Sequence, residues 1–234
     1  MKEGKFVCVE LFSGNADITK RLNNINEDIV CYSFDWEASY NPSFVKDLSR
    51  VTFKELCEIV GGGIDFIWAS PDCSSYSVAA GNFHRSKGGV PHSEYAKFSD
   101  KLNTNLWDNV LLPSGVPFIV ENPRGHYRNM PFAKHCFTRT VFYSTYGAEV
   151  QKPTDLFYND FNLSNYIDFY KENFQHPRLL PKGTNLKRLR SGFLNRCKMP
   201  AGLLDALAEY VYDLYLQRFS CMCGDTYLRL GADK

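Results

Sequence analysis

Cys73 stands in the run Ser70-Pro71-Asp72-Cys73-Ser74-Ser75-Tyr76-Ser77, directly after the apolar stretch Ile64-Asp65-Phe66-Ile67-Trp68-Ala69. That stretch reads as a buried strand, so the thiol sits just past a strand end, among hydroxyl groups. A thiol placed there is set to act as a nucleophile rather than as core filler. A second apolar run, Val116-Pro117-Phe118-Ile119-Val120, ends in Glu121-Asn122-Pro123. One strand end carrying a thiol and another carrying a carboxyl group suggest covalent chemistry with an acid partner. Apolar bulk beside Glu121 suits a carboxyl group that hands a proton to a bound molecule.

Other residues with chemical use fall at further strand ends. Glu10-Leu11-Phe12-Ser13-Gly14-Asn15-Ala16 reads as a strand, a tight turn and a helix start, and Gly14 permits a close backbone approach such as a nucleotide-type cofactor needs. Asp35, closing a second strand, can accept hydrogen bonds from a ribose or can simply cap a turn. Trp36 can stack on an adenine ring. Asp47 can meet an adenine amino group or stand as a solvated charge. After Cys73, Gly81, Gly88 and Gly89 alternate with His84, Arg85, Lys87 and His92. This reads as a mobile basic loop able to close over a substrate, or as a plain surface loop.

These positions need a frame. Phe6 to Phe12, Ile29 to Phe34, Ile64 to Ala69, Val116 to Val120 and Thr140 to Tyr143 read as strands. Ala16 to Leu22, Thr52 to Val60 with Gly61-Gly62-Gly63 as its stop, and residues 95–112 read as helices. Near-continuous apolar strands alternating with helices predict an α/β, Rossmann-like doubly wound sheet covered on both faces. Ligands bind at the carboxyl ends of such strands, so Gly14, Asp35, Cys73 and Glu121 can share one crevice.

The chain has 234 residues, 44% of them hydrophobic, enough for one well-buried domain and a small appendage. A net charge of +1 excludes a polycation, so any nucleic-acid surface must be local. Eight scattered cysteines show no disulfide framework, the start of the chain is too charged for a signal peptide, and no apolar stretch reaches membrane-spanning length. A soluble, cytoplasmic protein with reduced thiols is expected. Cys221-Met222-Cys223 lacks matching partners, so no metal site is expected.

The expected domains are 1–149, catalytic and cofactor-binding; 150–199, a small segment with aromatics first and bases after; and 200–234, a helix from Leu203 to Leu216 returning to the first domain, followed by a tail. Between Pro177 and Lys198 there are seven Lys or Arg residues, Arg188 and Arg190 among them, and no acidic residue. Such a run can contact phosphates, or it can be a solvated face of a structural insert.

Taken in order, Phe-Ser-Gly, Asp-Trp, Pro-x-Cys-Ser-x-Tyr-Ser and Glu-Asn-Pro resemble the C5-cytosine DNA methyltransferase family over residues 6 to about 147. The compact size and the runs Thr138-Arg139-Thr140 to Tyr146-Gly147 and Lys152-Pro153-Thr154-Asp155 look most like phage-encoded members. The resemblance implies S-adenosylmethionine as cofactor, with Phe12, Ser13, Gly14 and Pro71 around it. It implies Asp35 at the ribose, Trp36 stacked on adenine and Asp47 at the adenine amino group. It implies Cys73 as the nucleophile adding to C6 of cytosine, Glu121 as the acid at N3 and the exocyclic amine, and Arg139 near the attacked base. DNA is the implied partner, a duplex with the target base flipped out, met by Ser77, Arg85, Lys87, Arg188 and Arg190.

The chain departs from that pattern at Ala16 and Asp17, where the family has small glycine positions, at Asp72 for a proline, at Ser74 for a glutamine and at Pro123 for a valine. Lys198-Met199-Pro200 is the nearest match to a late Gly-Asn-x-x-Pro motif. The charge of Asp72 beside Cys73 is expected to work against the thiolate. The short 150–199 segment predicts brief or relaxed sequence readout. It also leaves open the same chemistry on RNA or a free nucleotide, while the departures around Cys73 and the cofactor loop leave open a non-catalytic homologue that binds DNA or a partner.

Overall fold

The computed structural model describes residues 4–80, 82–86, 88–148, 151–173 and 198–229. Seven strands form one sheet: β1 (Phe6–Leu11), β2 (Ile29–Asp35), β3 (Phe44–Val45), β4 (Phe66–Ala69), β5 (Phe118–Pro123), β6 (Phe137–Phe142) and β7 (Pro153–Tyr158). Their order is β3-β2-β1-β4-β5-β7-β6. The first five are parallel, whereas β7 runs antiparallel to both β5 and β6. The expected α/β, Rossmann-like doubly wound sheet is the fold observed.

Each face of the sheet carries its own buried apolar cluster. Trp68, Ile119 and Leu156 anchor one, beneath α1 (Asp17–Leu22), α4 (Leu163–Asn173) and α5 (Ala201–Arg229). Trp107, Ile67 and Phe157 anchor the other, which α2 (Phe53–Val60) covers together with the helical segment that follows α3 (Glu94–Asn105). Local chemistry sets the helix ends: the Thr52 side chain accepts from Glu55 N, and Gly61, at φ 77°, closes α2 in the left-handed conformation. The expected helix over 95–112 is helical throughout but not uniform. After α3 it widens into a π-helical segment, Leu106–Leu111, then ends in a turn at Leu112–Ser114. The wider turn brings both adjacent pairs, Leu106–Trp107 and Val110–Leu111, into the core.

Two expectations shift here. The strand expected over Val116 to Val120 runs on to Pro123, so Glu121 and Asn122 lie within β5 rather than past it. The segment set apart as 150–199 begins with β7, which is hydrogen-bonded between β5 and β6, and continues into α4, which packs on α5. Residues 153–173 therefore belong to the sheet and its covering layer, and the expected boundary at 149/150 falls inside one core. The basic run, with Arg188 and Arg190, lies outside the described residues, as does Lys87. The final helix extends to Arg229, well past Leu216; the side chains of Cys221 and Cys223 are outside the description. No helix among the described residues is long and apolar enough to cross a membrane.

The α4–α5 contact is built on phenol–carboxylate hydrogen bonds: Tyr166 donates to Asp213, Tyr170 to Glu209, and from α5 Tyr210 donates to Asp160. Partial burial, reinforced by the adjacent carboxylates, pushes Tyr166 and Tyr170 up to about 12, above the ordinary phenol value near 10. A raised phenol stabilises the fold in full below its unfolded value, and that stability is lost as pH rises through the folded one. The melting temperature should therefore fall between about pH 10 and pH 12, and the double variant Tyr166→Phe/Tyr170→Phe should show a shallower fall across that window. An equal slope in both proteins would exclude these phenols as the cause.

Candidate active site

The turn after β1 is strained. Phe12 and Ala16 adopt positive φ (57° and 54°) without being glycine, and Gly14 between them lies at 47°. Left-handed backbone costs an L-residue about 1–2 kcal/mol. Asp35 holds the turn in place: one carboxylate oxygen accepts from Gly14 N (2.8 Å) and the other from Glu37 N (3.0 Å). Of the two roles open to Asp35, turn capping is the one these bonds display. Ala16 adopts a backbone conformation that ordinarily favours glycine. Glu10, just before the turn, is buried and accepts from Thr19 N (2.7 Å) and Ile18 N (3.4 Å) at the start of α1. Its burial pushes the carboxyl up to about 7.

Two cavities open at the carboxyl ends of the strands, and Phe12 lines both. The larger, about 610 Å³, is walled by Phe12, Trp36, Asp47, Leu48, Asp72 and the inner face of α3, including Tyr95 and Phe98. Trp36 is 70% exposed there, an unusual position for so large an apolar ring unless a ligand covers it. Asp47 accepts from Ser49 N (2.9 Å), which holds its carboxyl below the usual range. The smaller cavity, about 180 Å³, is lined among others by Glu10, Ser13, Gly14, Glu121, Tyr143 and Met199. Met199 brings the late Lys198-Met199-Pro200 run to this wall.

Cys73 lies on the loop after β4, in the neighbourhood of the Tyr143 and Tyr95 phenols. Asp72 begins a single helical turn there. Its carboxylate accepts from Ser74 N (3.0 Å), Ser74 Oγ (2.9 Å) and the Tyr95 hydroxyl, while the Cys73 carbonyl accepts from Tyr76 N and Ser77 N. Asp72 is thus the cap of the turn that presents Cys73. Three donors satisfy its oxygens.

The loop is sewn to β5. Asn122 Nδ2 donates to Pro71 O (3.1 Å), Ser77 bridges Gly125, and His126 N donates to Tyr76 O (2.8 Å). A Cβ on Gly125 would lie 2.3 Å from Tyr76 O, so only glycine permits this approach. The turn that carries Cys73 is therefore tied at three points to β5 and the segment directly after it.

Arg85, expected to face a nucleic acid, is buried instead, 1% exposed. Its guanidinium donates to Ser75 O (2.8 Å), Gly89 O (3.1 Å) and both oxygens of Asp100, and lies 4.3 Å from the Tyr76 ring centroid. Those bonds use its donors inside the protein, so Arg85 braces the Cys73 loop from beneath. A buried chain continues the brace: Trp107 Nε1 donates to the Tyr127 hydroxyl, Tyr127 to Asn103, and Asn103 Nδ2 to the Tyr76 hydroxyl. Arg139 lies in the same cross-strand row as Glu121, with Leu156 of β7 between them, but its guanidinium is paired with Asp168 of α4.

Glu121 is 8% exposed. Its Oε1 accepts from the Tyr143 hydroxyl (3.0 Å) and from Lys152 Nζ (3.4 Å). Neither donor is marked in the sequence as a site residue, and no local signal could mark them, because they lie 22 and 31 positions away.

No protein-family model matches the chain, and no curated protein matches it. Among solved structures it is similar to a methyltransferase of Entamoeba histolytica (14% identity, TM-score 0.48, covering 69% of this chain and 59% of that one). It is also similar to a protein assigned as a DNA modification methyltransferase, encoded within a prophage of E. coli (14% identity, TM-score 0.45, covering 76% and 52%). The chain thus spans less than two thirds of the length of either neighbour.

Proposed function

We propose that the protein transfers a methyl group from S-adenosylmethionine to C5 of cytosine in DNA through a covalent Cys73–C6 intermediate. The observation that carries this reading is the pairing of Cys73 and Glu121 on two segments tied together at Pro71–Asn122, Ser77–Gly125 and Tyr76–His126. A thiol and an acid braced in this way match a reaction that must attack one ring atom while protonating another.

The residues present fit the cofactor. A 610 Å³ cavity with an exposed Trp36, a second aromatic wall and Asp47 suits an adenosine. The buried Ser13 Oγ, in the wall of the adjoining cavity, has no hydrogen-bond partner among the described residues and suits a polar ligand atom. When bound, S-adenosylmethionine supplies an electrophilic methyl group. Trp36 would stack on the adenine, Asp47 would accept from its amino group, and the Phe12–Gly14 turn would hold the remainder. Cys73 forms the S–C6 bond, Glu121 gives a proton at N3, and C5 becomes the nucleophilic carbon. Once C5 carries the methyl group, loss of the C5 proton to solvent, return of the N3 proton to Glu121 and expulsion of the thiolate restore the ring. The base leaves the duplex stack to be reached, at a cost of a few kcal/mol.

The test is methyl transfer from labelled cofactor to duplex DNA, with RNA and dCMP offered as rival acceptors and the product base identified. The expected result is 5-methylcytosine in DNA. Label in RNA or dCMP alone would reassign the substrate, and N4-methylcytosine or N6-methyladenine would overturn the chemistry.

A further inference from the structure

Glu121 is gripped on one side only. Both of its hydrogen bonds fall on Oε1, and among the described residues no donor reaches Oε2. Tyr143 is buried, and burial with Glu121 beside it drives its phenol well above its ordinary value, so it stays a neutral donor. Lys152 Nζ lies 4.7 Å from the centroid of the Tyr143 ring as well as 3.4 Å from Oε1. A single ammonium thus rests on the phenol face and the carboxylate at once, in the turn leading into β7. The other cation of this region, Arg139, is held by Asp168.

We propose that Lys152 is a positioning residue for the reaction: with Tyr143 it clamps Oε1, aims Oε2 at the substrate base, and balances the charge that Glu121 acquires during catalysis. The proposal rests on the cytosine-C5 reading. As the S–C6 bond forms, the C5=C6 electron pair shifts toward N3, and the proton on Glu121 Oε2 passes to N3. The negative charge this leaves on Glu121 lies beside an ammonium already in place, so no reorganisation is needed at that moment. When the thiolate is expelled and the ring restored, the proton returns to Oε2. A lysine serves here because its compact head fits between ring and carboxylate while its stem follows the protein surface.

The experiment compares Lys152→Met and Lys152→Arg in the wild-type and Glu121→Gln backgrounds. Lys152→Met should lower kcat about 100-fold, as loss of one preorganised donor does, with KM for DNA and affinity for S-adenosylmethionine little changed. Lys152→Arg, which keeps the charge, should recover most of that loss. The limb of the kcat–pH profile set by Glu121 should move to higher pH in Lys152→Met. In the Glu121→Gln background, Lys152→Met should add little. An unchanged kcat, a matching loss of cofactor affinity, or a further loss of about 100-fold on top of Glu121→Gln would overturn the clamp. Failure of wild-type protein to form an adduct with 5-fluorocytosine DNA would sink the cytosine-C5 reading itself. An adduct together with an inert Lys152→Met change would sink only the clamp.

Discussion

Cys73→Ser should abolish covalent capture of DNA containing 5-fluorocytosine and lower methyl transfer by about 10⁴-fold or more, the scale seen when a nucleophile is removed. Fluorine at C5 cannot leave as the proton does, so a normal turnover stalls with the protein still attached through sulfur. A serine hydroxyl in the same turn is too weak a nucleophile without its own base. The other described cysteines cannot substitute. Burial drives the thiols of Cys8 and Cys31 far above their ordinary values, raises that of Cys57 and pushes Cys136 up to about 12. Denaturing gels of trapped DNA read the result directly, and an adduct surviving in Cys73→Ser would remove Cys73 from the mechanism.

Glu121→Gln should be the second severe loss, about 10²–10⁴-fold in kcat, the usual weight of a positioned acid. Glutamine keeps the size of the side chain and can still accept from Tyr143 and Lys152, but it has no proton to deliver to N3. Glu121 is absent from the wall of the larger cavity, which would hold the adenosine, and the substitution leaves Ser13 and Gly14 of the smaller one in place. Cofactor affinity, measured by calorimetry, should therefore stay within a few-fold of wild type. A rate near wild type would show that the ring takes its proton elsewhere. A rate loss matched by lost cofactor binding would show that Glu121 serves the fold rather than the chemistry.

What the sequence reveals follows how local each signal is. The parallel strands β1, β2, β4 and β5 are apolar runs closed by turn residues, and α2 is bracketed by Thr52 and Gly61, so all of these are readable; β3, only two residues long, is not. β7 is not, because it opens on Pro153 and contains Asp155, an acid in the middle of a sheet. Its burial becomes intelligible only once Arg128 is seen bonded to both of its oxygens and Thr140 to one of them. Arg85 misleads for the same reason: a basic residue among glycines reads as a surface charge until Asp100, 15 positions on, is found against it. Asp72 is the converse case. Its sequence neighbourhood suggests an electrostatic fault, and its Ser74 and Tyr95 contacts show a structural use. Cys73 and Glu121 are legible because their strands are; what grips Glu121 is not.

The place of β7 has a consequence for how the chain is made. As residues emerge in order, the parallel strands β1 to β5 are complete by Pro123, and β6 by Phe142. Yet β6 cannot close the free side of β5, because the strand between them is synthesised last. Until Tyr158 is available, the strand bearing Glu121 is an open edge of unpaired backbone, the form most prone to pair with another chain. A nascent or truncated protein ending before β7 is thus exposed to aggregation along the edge that carries Glu121.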